Sequence, residues 1–396
     1  MMTHRERMLA TIRGEATDQL PWAPRMDLWA IALRARGTLP ERFVGKNMVE
    51  VAKSLGVACH SVGADFTLPG GRDNSLRGLG IDNHFDFPYR VELRGLPVET
   101  SDDGEELRTL IHTSAGDVFT HLHRSQRMAK DGISLPFVKA YALDSVDAVE
   151  AVAEVFEHLE VIPTPEAYHQ FHERIGDQGL AVARGPIAAS PVHLMLHELA
   201  ALDQFYYLYH DERSRLYELA KRMEPFFEKV LDVLVASEAE VVFWGANYDQ
   251  DVTWPPFFQA EIAPWLKKVS DRLHAAGKFL LTHTDGENKR LLAHYPACGF
   301  DVAESYCPPP MSKTSLAEML AGLRPNTTVW GGVPAVALLK GAMADHVFEC
   351  YLDELFASIG TGDHLILGVS DNVPPDADLD RLDEIKRRVE AFGAVG

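Results

Sequence analysis

The sequence is short of cysteine, of basic charge relative to acid, and of long apolar runs, and each shortage removes a class of protein. Its four cysteines, Cys59, Cys298, Cys307 and Cys350, stand far apart with no CxxC pair. That spacing suits neither a zinc knuckle nor a disulfide framework, so they read as reduced thiols. The 38 Lys and Arg residues against 58 Asp and Glu give a formal net charge of −20. A field of that sign repels phosphate backbones and anionic headgroups, which argues against nucleic acid or a membrane surface as partner. No apolar run nears the roughly 20 residues needed to span a bilayer, and the opening MMTHRERML lacks the apolar core of a signal peptide. A cytoplasmic location is expected.

What the sequence does contain is alternation. With 396 residues, 46% hydrophobic and 24% charged, the composition is ordinary for a globular chain. A single domain over residues 1–396 is expected, because barrels of alternating strand and helix run long. From about residue 180 onward, short apolar runs alternate with stretches of helical period: 180–184 (LAVAR), 241–245 (VVFWG), 279–283 (FLLTH), 300–304 (FDVAE), 327–331 (TTVWG) and 365–369 (LILGV). Each ends in a polar or Gly/Pro-rich segment, as the loop at the carboxyl end of a parallel strand does. Segments 22–26 and 57–66 supply two earlier strands and complete eight. The expected fold class is therefore α/β, a (β/α)8 TIM barrel. Between residues 68 and 138, Gly/Asp turns and alternating segments at 89–93 and 107–112 indicate a β-hairpin insertion over the barrel mouth. Within 211–240, Leu216, Leu219, Met223, Phe226, Phe227, Val230, Leu231 and Leu234 recur at helical spacing, giving one buried stripe.

Polar residues at the strand ends carry the chemistry. In FLLTHTDGENKRLL, His283 and Asp285 are two apart and share a strand face; Gly286 then turns the chain, and 287–292 is expected to open a helix. Such a pair suits metal binding or acid/base work, and a hydrogen bond that merely closes a loop explains it equally well. Glu304, after small and apolar residues in DVAESYCPPP, does not belong in an apolar core unless paired, so it is expected to face the pocket. A helix cap or salt bridge is the structural alternative. Asp371 and Asn372 in GVSDNVPPD lie at the same rim, where an Asx turn is the alternative.

Asn247 and Tyr248 follow VVFWG and are candidates for hydrogen bonding to substrate. Arg25, in APRMDLW, can bind a carboxylate through paired hydrogen bonds, or pair with acids for structure alone. Trp244, with Tyr248, Trp29 and Trp254, offers a wall for an aromatic ring, although such residues more often pack a core.

Taken in order, ARGPIAASP, GANYD, THTDG, GFDVAES, WGGVP and LILGVSDNVPP, spread over residues 181–375, resemble the uroporphyrinogen-decarboxylase superfamily. That superfamily holds decarboxylases and corrinoid-linked methyltransferases, and the chain looks closer to the methyltransferase branch. The Arg-rich RQAGR-type segment of the decarboxylases is here APRMDLW, which keeps only Arg25. An acidic chain also suits a substrate of eight carboxylates poorly.

Zinc methyltransferases of the family use a His-x-Cys pair and a later Cys, and the matching positions are His283, Asp285 and Asp371. The resemblance thus implies zinc on His283, Asp285 and Asp371, with Glu304 as fourth ligand or proton donor. Oxygen ligands make such a metal a stronger Lewis acid than thiolates do. The implied function is a methyltransferase that demethylates a small methoxylated substrate, an aromatic ether first among them. The methyl group would pass to a corrinoid (cobalamin) on a separate partner protein. The alternative is a decarboxylase or lyase of a small carboxylic acid, with His283 and Asp371 shuttling protons and Arg25 holding the carboxylate. The oligomeric state is left open, a homodimer included.

Overall fold

The computed structural model describes residues 1–68 and 72–396. It is an α/β protein with a six-stranded parallel sheet and separate antiparallel sheets. The antiparallel strands come first. β1 (Arg72–Asp73) pairs with β2 (Asn83–His84), and β3 (Tyr89–Leu93) pairs with β8 (Leu159–Pro163). Between them, β4 (Val98–Asp102), β5 (Glu106–Thr113), β6 (Gly116–His123) and β7 (Phe137–Ala140) form a meander in sequence order. The excursion expected over 68–138 is therefore larger than a hairpin, and 89–93 leaves it to pair with a strand 70 residues later in the chain, Leu93 lying opposite Leu159 and Tyr89 opposite Pro163. Local alternation marks a strand without marking its partner, which is why the two segments look like one hairpin in sequence.

The parallel strands are β9 (Ala183–Arg184), β10 (Val241–Ala246), β11 (Phe279–His283), β12 (Val302–Tyr306), β13 (Thr328–Pro334) and β14 (Leu365–Ser370), neighbours in space as in sequence. Both edges of this sheet carry further parallel bridges. At one edge Leu367 N donates to Pro21 O (2.9 Å) and Ala23 N to Leu367 O (2.9 Å), while Ala58 N donates to Trp22 O (2.9 Å). At the other edge Val182 N donates to Ser61 O (3.1 Å) and Gly63 N to Val182 O (3.0 Å).

The strands are apolar on both faces because both faces are buried. Val241, Phe243, Leu281, Val302 and Ile366 share one cluster with Met8, Leu9 and Ile12 of the helix His4–Ile12. Their neighbours Val242, Trp244, Leu280, Ala303 and Leu365 belong to a second cluster that includes the crossover helices. Strand period two thus sorts each run into two cores. Every aliphatic side chain so buried contributes about 1.5–3 kcal/mol of transfer free energy.

The helix Arg213–Ala236 shows how sequence pattern becomes packing. Its buried positions are Leu216, Leu219, Ala220, Met223, Phe226, Phe227, Val230, Leu231 and Leu234, the stripe read from sequence with Ala220 added. The helix expected at 287–292 does not form there: 289–291 are turn, and a 3-10 helix runs Leu292–Cys298. Asn288 accounts for the delay, since its amide donates to Thr284 O (2.8 Å) and Gly286 O (2.7 Å), bonds that compete with a helical turn. Among the described residues the four cysteines are free, with Cys350 alone exposed, and no helix is long and apolar enough to cross a membrane.

Candidate active site

The parity that sorts the core also builds the site. His283 lies two positions beyond Leu281, and Glu304 two beyond Val302, on the face of the cluster that holds His4–Ile12. Continuing that face past the last apolar layer puts their polar groups at the carboxyl ends of the strands, where they border a cavity of about 610 Å3. Its opposite wall comes from the antiparallel insertion, including Arg124 and residues 133–136.

Glu304 is the hub. It is 2% exposed, and its two carboxylate oxygens accept from two imidazoles, His60 Nε2 at 2.9 Å and His283 Nδ1 at 2.5 Å. Burial opposes its charge, but His283 and His60 outweigh that and hold it well below the ordinary carboxylate range. On the other side of the ring, His283 Nε2 stands 3.7 Å from Asp371 Oδ1. Burial would lower the His283 pKa; Glu304 first, then Asp371 and Asp285, reverse this and raise it. The result is a ring whose protonated form is favoured, with Nδ1 anchored and Nε2 left outside hydrogen-bond distance of the protein acid it faces.

Asp371 is fixed by Arg25 Nη1 (2.9 Å) and Ser305 Oγ (3.1 Å). Desolvation pushes its pKa up, and Arg25 and His283 bring it below the usual value. Asp285 borders the same cavity with its pKa raised, chiefly by burial, with the charges of Asp371 and Glu304 adding to the rise. Ser305 and Asn247 both adopt left-handed backbone conformations, at φ 63° and 60°. Neither is glycine, so both are held there by their surroundings at a strand end that borders the cavity.

The structure thus brings His283, Asp285, Glu304 and Asp371 together, and adds Arg25. Arg25 is engaged by protein, however: Nε and Nη2 donate to Asp27 Oδ1 (3.0 Å) and Oδ2 (3.2 Å) while Nη1 holds Asp371. Asn372 braces this pair from behind, donating to Asp27 Oδ1 (2.9 Å) and accepting from Arg25 Nε (3.0 Å) in the orientation that satisfies its amide. Asn247 borders the cavity and donates from Nδ2 to His197 Nε2 (2.8 Å).

Trp244 and Tyr248 do not reach the cavity. Both are fully buried; Trp244 Nε1 donates to Ala189 O (3.0 Å), and the Tyr248 hydroxyl bonds Thr282 Oγ1 (2.7 Å). Trp244 has the parity of the helix-facing cluster, and a run apolar on both faces conceals which face a residue takes. Trp29 and Trp254 also pack elsewhere, against Phe43 and against Tyr206 and Phe257. The aromatic rings that do border the cavity are Phe66 and Phe243.

The sequence reading does not single out His60, Arg77, Arg124, His197 or Glu198. His60 lies inside the weakly strand-like run 57–66, and a lone histidine there carries no spacing signal. His197 and Glu198 sit in a π-helical turn, Met195–Leu199, a feature frequent at functional sites but invisible in sequence. Glu198 links Arg77 Nη1 (2.6 Å) to His197 Nδ1 (2.8 Å). Burial opposes its charge, yet Arg77 and His197 bring its pKa down to about 2. The chain Arg77–Glu198–His197–Asn247 therefore stiffens one wall of the cavity.

A zinc ion does not fit this donor set as arranged. Both Glu304 oxygens serve imidazoles, and the Arg25 guanidinium already neutralises Asp371. Among the described residues no group of three or more His, Cys, Asp and Glu side chains is placed to hold a metal ion.

Comparison with protein-family models and with curated proteins finds no match to the chain. Among solved structures, the chain is similar in fold to a methyltransferase from Methanosarcina mazei, with a TM-score of 0.57 over 99% of each chain and 13% sequence identity.

Proposed function

We propose that the chain is a methyltransferase that removes the methyl group of a small methoxylated aromatic compound and delivers it to a corrinoid carried by a separate protein. The observation that carries this reading is the His283 ring, anchored through Nδ1 to Glu304 with Nε2 left for a substrate. An ether oxygen leaves poorly as an anion and well as a hydroxyl, so a positioned proton donor is what the reaction lacks in water. In the proposed step the C–O bond breaks with its electron pair staying on oxygen, which takes the proton from Nε2. The methyl group goes to the reduced cobalt of the corrinoid, which supplies the bonding pair. Glu304 and Asp371 favour the protonated form of His283, and Asp285, which borders the same cavity with a raised pKa, would restore the proton.

Two further features support the reading. The bridges at both edges of the parallel sheet fit a closed (β/α)8 barrel, with residues 21–23 and 58–63 as its remaining staves. Active sites of such barrels lie at the carboxyl ends of the strands, where this cavity is. The whole-chain likeness in fold to a solved methyltransferase agrees with it.

A second reading, decarboxylation of a small carboxylic acid, is favoured by the same proton donor beside a cavity that several arginines border. There carbon dioxide would leave, and the carbanion would take the His283 proton. Incubating the protein with cob(I)alamin and a panel of methoxyarenes decides between them. Methylcobalamin that disappears in His283→Ala is expected; carbon dioxide from candidate acids, with no methyl transfer across the panel, overturns the first reading in favour of the second. Elemental analysis of the same preparation checks the metal. Stoichiometric zinc, with activity lost on chelation, would restore zinc activation as the route.

A further inference from the structure

Most of the charged groups around the cavity, Asp285 apart, are matched by partners within the protein. Glu304 holds His60 and His283, and Arg25 holds Asp27 and Asp371. Arg77 holds Glu198, with Asp82 at 3.3 Å from its Nε. Arg184 lies with Cζ 4.1 Å from the centre of the Phe243 ring and 6.0 Å from that of Phe66.

Arg124 is different. It follows directly on β6, in the insertion that forms the opposite wall, and its side chain borders the cavity. Among the described residues its guanidinium has no hydrogen bond and no ion pair. Burial, and then the positive charge of Arg77, depress its pKa; Asp82 and Asp102 offset this from a distance. A half-buried guanidinium beside another cation and without a close counter-ion is costly, and an anion placed against it recovers that cost.

We propose that the substrate carries a single carboxylate and that Arg124 receives it, so that the ligand spans from the insertion wall to His283. The planar fork of a guanidinium matches a carboxylate through two parallel hydrogen bonds. One unmatched cation calls for one anionic group, not for the many acid groups of a porphyrinogen. The ring between the two ends has apolar surface to rest on, from Phe66, Phe243, Ile187, Ile133 and Leu135. The substrate class is then a methoxylated aromatic acid. Arg124 becomes a specificity-determining residue on the insertion, separate from the chemistry on the strand ends.

The inference rests on the methyl-transfer reading for the reacting end of the ligand and is independent of it at the carboxylate end. The test is therefore binding. Isothermal titration of the full chain with 2-, 3- and 4-methoxybenzoate is compared with the corresponding methoxybenzamides, neutral molecules of nearly the same shape. At least one benzoate is expected to bind about tenfold or more tightly than its amide. Arg124→Gln should abolish that preference by weakening the benzoate about 10- to 100-fold while leaving the amide unchanged. Arg124→Lys, which keeps the charge but loses the fork, should fall between and serves if the glutamine variant does not fold. Absence of any carboxylate preference in the wild type, or a preference that survives Arg124→Gln, overturns the assignment. Carboxylate-dependent binding without methyl transfer would remove the proposed reaction and leave Arg124 assigned, and methyl transfer indifferent to Arg124 would do the reverse.

Discussion

His283 Nε2 faces Asp371 Oδ1 across 3.7 Å, and that same oxygen accepts from Arg25 Nη1 at 2.9 Å. The gap is too long for a hydrogen bond and short enough for strong Coulomb attraction, so Asp371 raises the His283 pKa without holding the Nε2 proton.

The pH profile follows from that geometry. The donor is the protonated ring, and its pKa is raised from the ordinary histidine value of 6.5, so kcat/KM should decline on the alkaline side as pH rises through the raised pKa. Asp371→Asn deletes one of the charges responsible, and the alkaline limb should move to lower pH. An alkaline limb that stays where it was in Asp371→Asn would remove His283 as the titrating group.

Glu304 carries the opposite linkage. Its folded pKa is depressed below the ordinary 4.5, so the stability it contributes is present above about pH 4.5 and is lost as pH falls through the folded pKa. His283 behaves conversely: its contribution is full below 6.5 and lost as pH rises through its raised folded value. Glu304→Gln should therefore flatten the acid side of stability measured by urea unfolding at a series of pH values. It should also lower kcat by about 10²- to 10⁴-fold, because the proton donor loses the carboxylate that orients and charges it. A variant as active as wild type would show that the hub is structural only.

His60 tests whether both imidazoles are needed. Its Nε2 occupies the second oxygen of Glu304 at 2.9 Å. His60→Ala leaves a buried carboxylate oxygen without its donor, at a cost of about 1–3 kcal/mol in unfolding free energy. His60→Gln restores a donor and should recover much of that stability. If His60 also positions Glu304 against His283, the glutamine variant should recover kcat as well, and the alkaline limb of the profile should return with it. Stability rescued while the limb stays displaced would confine His60 to packing.

The sequence made the strand ends legible and the insertion less so. Six apolar runs separated by helical pattern specify a parallel α/β sheet because each run is buried on two faces, and the observed strands begin or end within a few residues of the runs. His283, Asp285, Glu304 and Asp371 stood out because charge at the end of an apolar strand needs a partner or a task. Trp244 and Tyr248 misled because nothing local distinguishes the two faces of a doubly buried strand. His60 and Arg124 were missed because each acquires meaning only through contacts far along the chain, His60 with a residue 244 positions away. Arg25 reads from sequence either as a carboxylate receptor or as a structural partner of acids, and the structure engages it with Asp27, inside its own motif, and with Asp371, 346 positions away.

Tyr248 offers a check on which aromatic residues touch the ligand. Its hydroxyl bonds Thr282 Oγ1 at 2.7 Å inside the core, and burial pushes its pKa well above 10. The position is braced by Gly245, whose φ of +80° lies in the left-handed region and where an added β-carbon would overlap the Tyr248 hydroxyl and Ala189. Tyr248→Phe removes the hydroxyl and leaves Thr282 Oγ1 with its remaining bond to Gly245 O at 3.1 Å. Unfolding free energy should fall by about 0.5–1.5 kcal/mol, with KM for the methoxylated substrate unchanged. Phe243→Ala, by contrast, cuts away a ring that borders the cavity. It should raise KM about tenfold, in keeping with a lost ring contact of about 1–1.5 kcal/mol. A rise in KM for Tyr248→Phe comparable to that for Phe243→Ala would move the substrate to the other face of the strand.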